Sequence, residues 1–181
     1  KAFLAHPGEI AGVIVEPIQG ESGIHPCDGD YLYDVLKIAR RNGAVLICDE
    51  VQSGIYRCGE FPFAHQTAGI SPDIVTCAKG IASGFPMGAC VARMEVAEAF
   101  EPGDHGSTFG GSNLAMAAAY ATLSTLKKGS FATDVQELGF YFGDELMKID
   151  GITDVRGSGL MVGADLEEGI DAHKVVEEGL K

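Results

Sequence analysis

The chain has 181 residues, enough for one ordinary domain with its own core or for one domain plus part of another. Its 46% hydrophobic content is that of a globular protein, and 13 Lys plus Arg against 26 Asp plus Glu leave a formal net charge of −13. No Lys/Arg-rich patch offsets that charge, so a nucleic-acid partner and an anionic membrane surface are both disfavoured.

In chain order, strands and helices alternate. Gly12-Val13-Ile14-Val15-Glu16 is a short apolar run ending in a carboxylate before Pro17, and it reads as a buried strand of a parallel sheet. Residues 26–30 are turn-rich, with Asp30 the candidate cap of the next helix. Over residues 31–41, Tyr31, Leu32, Val35, Leu36 and Ile38 fall at helical spacing, and Asn42-Gly43 stops the helix. Residues 44–48 form the next buried strand, which closes at Asp49. After Ser71-Pro72-Asp73, Ile74-Val75-Thr76-Cys77 makes a third strand that stops just before Lys79. Residues 86–92 are expected as a fourth, antiparallel or at an edge.

Residues 94–100 read as a short helix, residues 115–127 as an alanine-rich helix of high intrinsic propensity, and residues 133–148 as another. Residues 154–164 return to strand character around glycines. A domain boundary is expected at Lys128-Gly129-Ser130, separating residues 1–128 from 129–181. The alternation calls for an α/β fold with a mostly parallel, doubly wound sheet, in which ligands sit beyond the carboxyl ends of the strands.

The five cysteines are widely spaced and form no C-x-x-C or zinc pattern, so reduced thiols in a cytoplasmic protein are expected. No apolar run is long enough to span a membrane, and Lys1-Ala2-Phe3 does not begin a signal peptide. With no initiator Met, the chain is expected to be an excised piece of a longer protein.

Glu16, Asp49 and Lys79 all follow predicted strand ends, which delivers three polar side chains to one edge of one sheet. A lysine amine condenses with aldehydes once desolvation supplies its neutral form. Read locally, though, Lys79 fits a surface lysine at a strand–helix junction better. Gly80, Gly84 and Gly88 follow Lys79 rather than preceding it, so there is no phosphate-binding P-loop. Asp49 has no basic neighbour in sequence, and such a carboxylate can keep a pyridine nitrogen protonated; alone, it is also a common turn or cap residue. The Asp49–Lys79 spacing leaves room for one crossover and a return strand.

Residues 106–113, Gly-Ser-Thr-Phe-Gly-Gly-Ser-Asn, precede the alanine-rich helix and offer an anion site of backbone N–H groups and hydroxyls. A Gly/Ser loop ending in a Ser or Asn cap fits the same residues equally well. His105 reads as structural, and the Gly157-x-Gly159 pair is too sparse for a dinucleotide fingerprint.

Together, Val15-Glu16-Pro17-Ile18-Gln19-Gly20-Glu21, Asp49-Glu50-Val51-Gln52-Ser53-Gly54 with Arg57 and Gly59, Ala78-Lys79-Gly80, and His105-Gly106-Ser107-Thr108-Phe109-Gly110-Gly111 occur in order. These motifs resemble the class III, or ω-amino, aminotransferases of fold type I, on the acetylornithine/ornithine side of the family. The resemblance covers essentially the whole chain. It implies pyridoxal 5'-phosphate (PLP) as cofactor, an amino acid and a 2-oxo acid as substrates, and a role in amino-acid metabolism within arginine biosynthesis. Lys79 would be the lysine that anchors the cofactor and then shuttles a proton between substrate and cofactor carbons. Asp49 would pair with the pyridine nitrogen, Val51 would pack on a ring face, and Gln52 would reach the ring hydroxyl.

Thr108, with Ser107 beside it, would bind the cofactor phosphate of the neighbouring subunit, which implies a homodimer with shared active sites. Glu21 resembles the glutamate that pairs with an arginine and releases it when glutamate enters, with Glu16 supporting it on the substrate side. Ser112-Asn113 departs from the family's usual Asn-Pro, so the following helix cap is expected to differ. Family members are longer, and residues 1–128 would be the later part of their large domain, with 129–181 the start of a small α+β C-terminal domain. The chain alone is therefore expected not to complete the reaction.

Three readings stand: an aminotransferase of an acetylornithine-like donor with 2-oxoglutarate, a non-catalytic structural piece of such an enzyme, and a nucleotide-binding α/β domain. Within the first, ornithine, 4-aminobutyrate or succinyl-diaminopimelate as donor, or an aminomutase reaction, are the alternatives. The missing P-loop and dinucleotide fingerprint count against the third.

Overall fold

Four short strands carry the sheet that positions every candidate residue before residue 83. The computed structural model describes all 181 residues. Its elements are α1 (Ala2–Ala5), β1 (Gly12–Val15), β2 (Ile18–Gln19), β3 (His25–Pro26), α2 (Gly29–Arg41) and β4 (Val45–Asp49). A 3-10 helix (Ala64–Ala68), β5 (Ile74–Cys77), a second 3-10 helix (Lys79–Ala82), β6 (Ala89–Ala92) and α3 (Met94–Ala97) follow. The chain ends with α4 (Asn113–Lys128), α5 (Phe131–Leu146), β7 (Ile152–Ser158), β8 (Met161–Leu166) and α6 (Ala172–Gly179).

The main sheet has the order β1-β4-β5-β6, with β1, β4 and β5 parallel and β6 antiparallel at the edge. The mixed α/β fold with a mostly parallel sheet is the one expected, and the fourth strand is indeed an antiparallel edge strand. Helix α2 makes the crossover from β1 to β4. Its buried stripe of Leu32, Leu36 and Ala39 faces the sheet, and Leu32 and Leu36 join Leu46, Cys48 and Ile70 in one core cluster. Asp28, not Asp30, caps this helix by accepting the N–H of Tyr31 at 3.1 Å. Asp28 holds the extended backbone that a cap needs, whereas Asp30 already lies inside the first turn, where its charge only complements the helix dipole.

The crossover from β4 to β5 contains no α-helix. It runs as an irregular loop into the Ala64–Ala68 turn, which ends at Gly69 with φ 63°. Asp73 fixes the end of this crossover. Its carboxylate accepts the Leu46 N–H at 2.9 Å and guanidinium N–H groups of Arg40 at 2.9 Å and Arg93 at 3.2 Å. Burial raises the Asp73 pKa, but the Leu46 amide and the two arginines outweigh it and leave the carboxyl below its usual range.

Beyond the sheet, α4 buries Ala115 and Ala119, and Ala119 joins Cys77, Ile81 and Ala82 in a second core cluster. Helix α5 begins and ends two residues earlier than the periodicity predicts: Met147 caps it with an N–H still bonded to Gly143, and at Lys148 the bonding tightens to the Glu145 carbonyl. The glycine-rich segment forms the β7–β8 hairpin, which packs back through Met161 onto Ile18, Cys58 and Ala64. A Cβ added at Gly139 of α5 would lie 2.2 Å from the Gly159 carbonyl, so that approach requires glycine. Arg156 of the hairpin donates to the Gly23 carbonyl at 2.9 Å. All five cysteines are unpaired, and burial together with the Glu50 charge pushes the Cys48 and Cys58 thiols up to about 12. No helix is long and apolar enough to cross a membrane.

Candidate active site

Asp49 is the last residue of β4 and pairs in register with Thr76 on β5. Strand β5 continues through Cys77 and Ala78 into Lys79, so the carboxylate and the amine leave neighbouring parallel strands at the same edge. Asp49 is half-buried, and its Oδ1 accepts the Val51 N–H at 3.0 Å and the Thr76 hydroxyl at 3.1 Å. Its Oδ2 takes no protein donor.

Lys79 is exposed and opens the second 3-10 helix with φ 45°, a left-handed conformation that a side-chain-bearing residue rarely adopts. Ile81 and Ala82, buried against α4, hold the turn that imposes this conformation.

A second group lies at the ends of β1 and β2. The Gln52 amide donates from Nε2 to Oε1 of Glu21 at 2.8 Å. A Cβ at Gly20 would fall 2.2 Å from Oε1 of Gln52, so Gly20 is what admits that side chain. Glu16 accepts the Gly20 N–H at 3.1 Å and sets the path of the same loop. Glu16, Gly20, Glu21 and Gln52 therefore form one connected unit beside Asp49 and Val51. Glu16 and Glu21 also line a cleft of about 440 Å³ with Val13, Val15 and Tyr31. Two further clefts, about 480 Å³ between the second 3-10 helix and α4 and about 400 Å³ between α5 and the β7–β8 hairpin, contain none of the predicted residues. The edge bearing Asp49 and Lys79 is open rather than enclosed.

Sequence reasoning missed the group that holds this edge in shape. Glu50 is 1% exposed, and its carboxylate accepts the Ser53 hydroxyl at 2.6 Å, the Ala64 N–H at 3.0 Å and the His65 N–H at 2.8 Å. It also pairs with His65 Nδ1 at 2.9 Å. Burial raises the Glu50 pKa, yet the bonds from His65, Ser53 and the two amides prevail and leave it lowered. This carboxylate ties the far end of the crossover to the residue following Asp49, and so fixes Val51 and Gln52 between them. The adjacent acids Asp49 and Glu50 were visible in sequence, but Glu50's partners 14 and 15 residues away were not.

Ser107 and Thr108 sit apart, on an exposed loop between α3 and α4. The Ser107 hydroxyl accepts the Gly110 N–H at 2.9 Å, which shapes the loop. Ser112 takes the cap position of α4 but forms no side-chain bond there. His105 is exposed, with its ring edge-on to Phe100.

The donor set fits the cofactor that the motifs imply. A carboxylate with one oxygen free of protein donors closes a strand, and an amine stands just beyond the end of the adjacent strand. Comparison with known proteins points the same way. The family model "Aminotransferase class-III" matches residues 2–181. The acetylornithine aminotransferase of Corynebacterium efficiens is 45% identical over 175 residues, covering 97% of this chain and 43% of the relative. A crystal structure of the ornithine aminotransferase from Toxoplasma gondii matches with a TM-score of 0.90 at 35% identity, covering 98% of this chain and 43% of that one. A second structure of that protein, described as showing partial PLP occupancy at its active site, matches with a TM-score of 0.88 at 36% identity, covering 97% and 42%. The chain thus spans less than half the length of these relatives, and along nearly all of its own length it belongs to the class III aminotransferases.

Proposed function

We propose that the protein is a PLP-dependent aminotransferase that moves the terminal amino group of an acetylornithine-like donor to 2-oxoglutarate. The observation that carries this reading is the delivery of Asp49 and Lys79 to one sheet edge by adjacent parallel strands, with Asp49 Oδ2 unclaimed. Class III aminotransferases use PLP, which when bound supplies an aldehyde to hold the amine and a ring to draw electrons from the substrate carbon. Lys79 holds the cofactor through its amine and moves a proton at the reacting carbon. Asp49, with Oδ2 unclaimed, would hold the proton of the ring nitrogen. Val51 would pack on the ring, and Gln52, held by Glu21, would bind the ring hydroxyl. Glu21 and Glu16 border the cleft that takes the substrate.

Ser107 and Thr108 bind the phosphate of a neighbouring subunit in a homodimer. Their exposed position, with Phe109 and Leu114 nearby in sequence also exposed, supports a surface that another chain covers. Residues 129–181 are read as the start of the small domain, and the five unpaired cysteines support a cytoplasmic location.

The test is direct. The full-length protein mixed with PLP is expected to gain an absorbance band that borohydride fixes as a covalent adduct on Lys79, located by peptide mass spectrometry. Lys79→Ala is expected to carry no label. Labelling elsewhere in the wild type, or undiminished labelling of the variant, refutes the anchor. Comparing kcat/KM for acetylornithine and ornithine tests the donor. Ornithine is the second reading, supported by two matching structures of the Toxoplasma gondii ornithine aminotransferase.

A further inference from the structure

We propose that Thr76 is a positioning residue that sets the orientation of the Asp49 carboxylate. This rests on the reading that Asp49 pairs with the cofactor's ring nitrogen. A carboxylate at a strand end rotates freely about its last bond unless something fixes it, and either oxygen can then face the ring. Here the Thr76 hydroxyl at 3.1 Å and the Val51 amide at 3.0 Å converge on the same oxygen, Oδ1. With Oδ1 engaged twice, Oδ2 alone stays available to a cationic N–H.

Thr76 suits the task for three physical reasons. It is the register partner of Asp49 on β5, so strand pairing itself brings the hydroxyl to the carboxylate. Its β-branched side chain is stiff at χ1, which keeps the hydroxyl aimed. It lies on the strand that runs on into Lys79, so one backbone sets both the carboxylate's rotation and the amine's position. Thr76 is also the one polar side chain in the run Ile74-Val75-Thr76-Cys77 that can donate strongly, and this hydroxyl has no other protein partner.

Three variants of the full-length protein test this: Thr76→Val, which keeps the shape and removes the donor; Thr76→Ser, which restores the donor; and Asp49→Asn. The probe is PLP labelled with ¹⁵N in its ring, and the readouts are its Kd and the pH at which its ring nitrogen loses its proton by NMR. A misdirected carboxylate that weakens its bond to the ring N–H by roughly 1.4 kcal/mol shifts Kd about tenfold and the ring-nitrogen titration by about one pH unit. Thr76→Val is expected to weaken PLP binding about tenfold and to lower the deprotonation pH by about one unit, with Thr76→Ser close to wild type.

If Thr76→Val titrates like wild type while Asp49→Asn does not, the Thr76 role is overturned and the Asp49 reading stands. If Asp49→Asn also leaves the ring nitrogen unchanged, the Asp49 reading fails and the proposal falls with it. Should Thr76→Val not fold, Thr76→Ala is read against Thr76→Ser on the same two measurements. A purely packing role for Thr76 would not move the ring-nitrogen titration or be restored by serine.

Discussion

Asp49→Asn in the full-length protein is expected to fold normally, to retain a covalent PLP adduct on Lys79, and to lose turnover by a factor on the order of 10²–10³, as removal of one transition-state electrostatic partner typically does. The first half follows from the bonds at Oδ1. The asparagine carbonyl oxygen takes its place and keeps both the Thr76 hydroxyl and the Val51 amide. The chemical half follows from the other atom. The unclaimed Oδ2 becomes an NH₂ group that carries no negative charge, so it cannot hold a proton on the ring nitrogen. Steady-state turnover beside borohydride labelling separates the two halves. Near-normal turnover in the variant would remove Asp49 from the chemistry.

Glu50→Ala is expected to be the most destabilising single change in this region, by about 3–5 kcal/mol in urea denaturation. It strands the Ser53 hydroxyl, the amides of Ala64 and His65, and the His65 ring in a place water does not reach. Glu50→Gln keeps one acceptor and the shape, and should cost roughly 1–3 kcal/mol. The two proteins should also differ in acid. A carboxyl whose folded pKa lies below its ordinary value of 4.5 contributes stability that is fully present above that value. The contribution is lost as pH falls from there through the lowered folded pKa. Wild type should therefore lose stability more steeply than Glu50→Gln below about pH 4.5, and parallel acid limbs would show that Glu50 folds without its charge.

The strands were legible from continuous apolar runs such as Val13-Ile14-Val15 and Val45-Leu46-Ile47-Cys48, but only β4 is deeply buried. β1 is not the buried strand expected, since it is the outer strand and leaves Ile14 64% exposed. That pattern placed Asp49 and Lys79 at one sheet edge, and the resemblance of the ordered motifs singled them out. The contacts that hold this edge together were not legible, because they depend on register and on distant loop geometry. Thr76 meets Asp49 only through the β4–β5 pairing, and Glu50 meets Ala64 and His65 only after the crossover folds back. One signal was available in retrospect: Thr76 is the residue that interrupts its strand's apolar run with a hydroxyl. The cap of α2 was misplaced by two residues, since Asp28 and Asp30 flank the same glycine and only backbone dihedrals distinguish them.

The left-handed backbone of Lys79 sets stability against chemistry at one position. A residue with a Cβ at φ 45° costs about 1 kcal/mol or more that glycine would not. Lys79→Ala removes the amine and keeps that cost, whereas Lys79→Gly removes both. The glycine variant should therefore withstand more denaturant than the alanine variant, while on the proposed anchor role neither holds the cofactor. Selection for stability alone would favour glycine here, and a lysine at this φ is what the proposed anchor role requires.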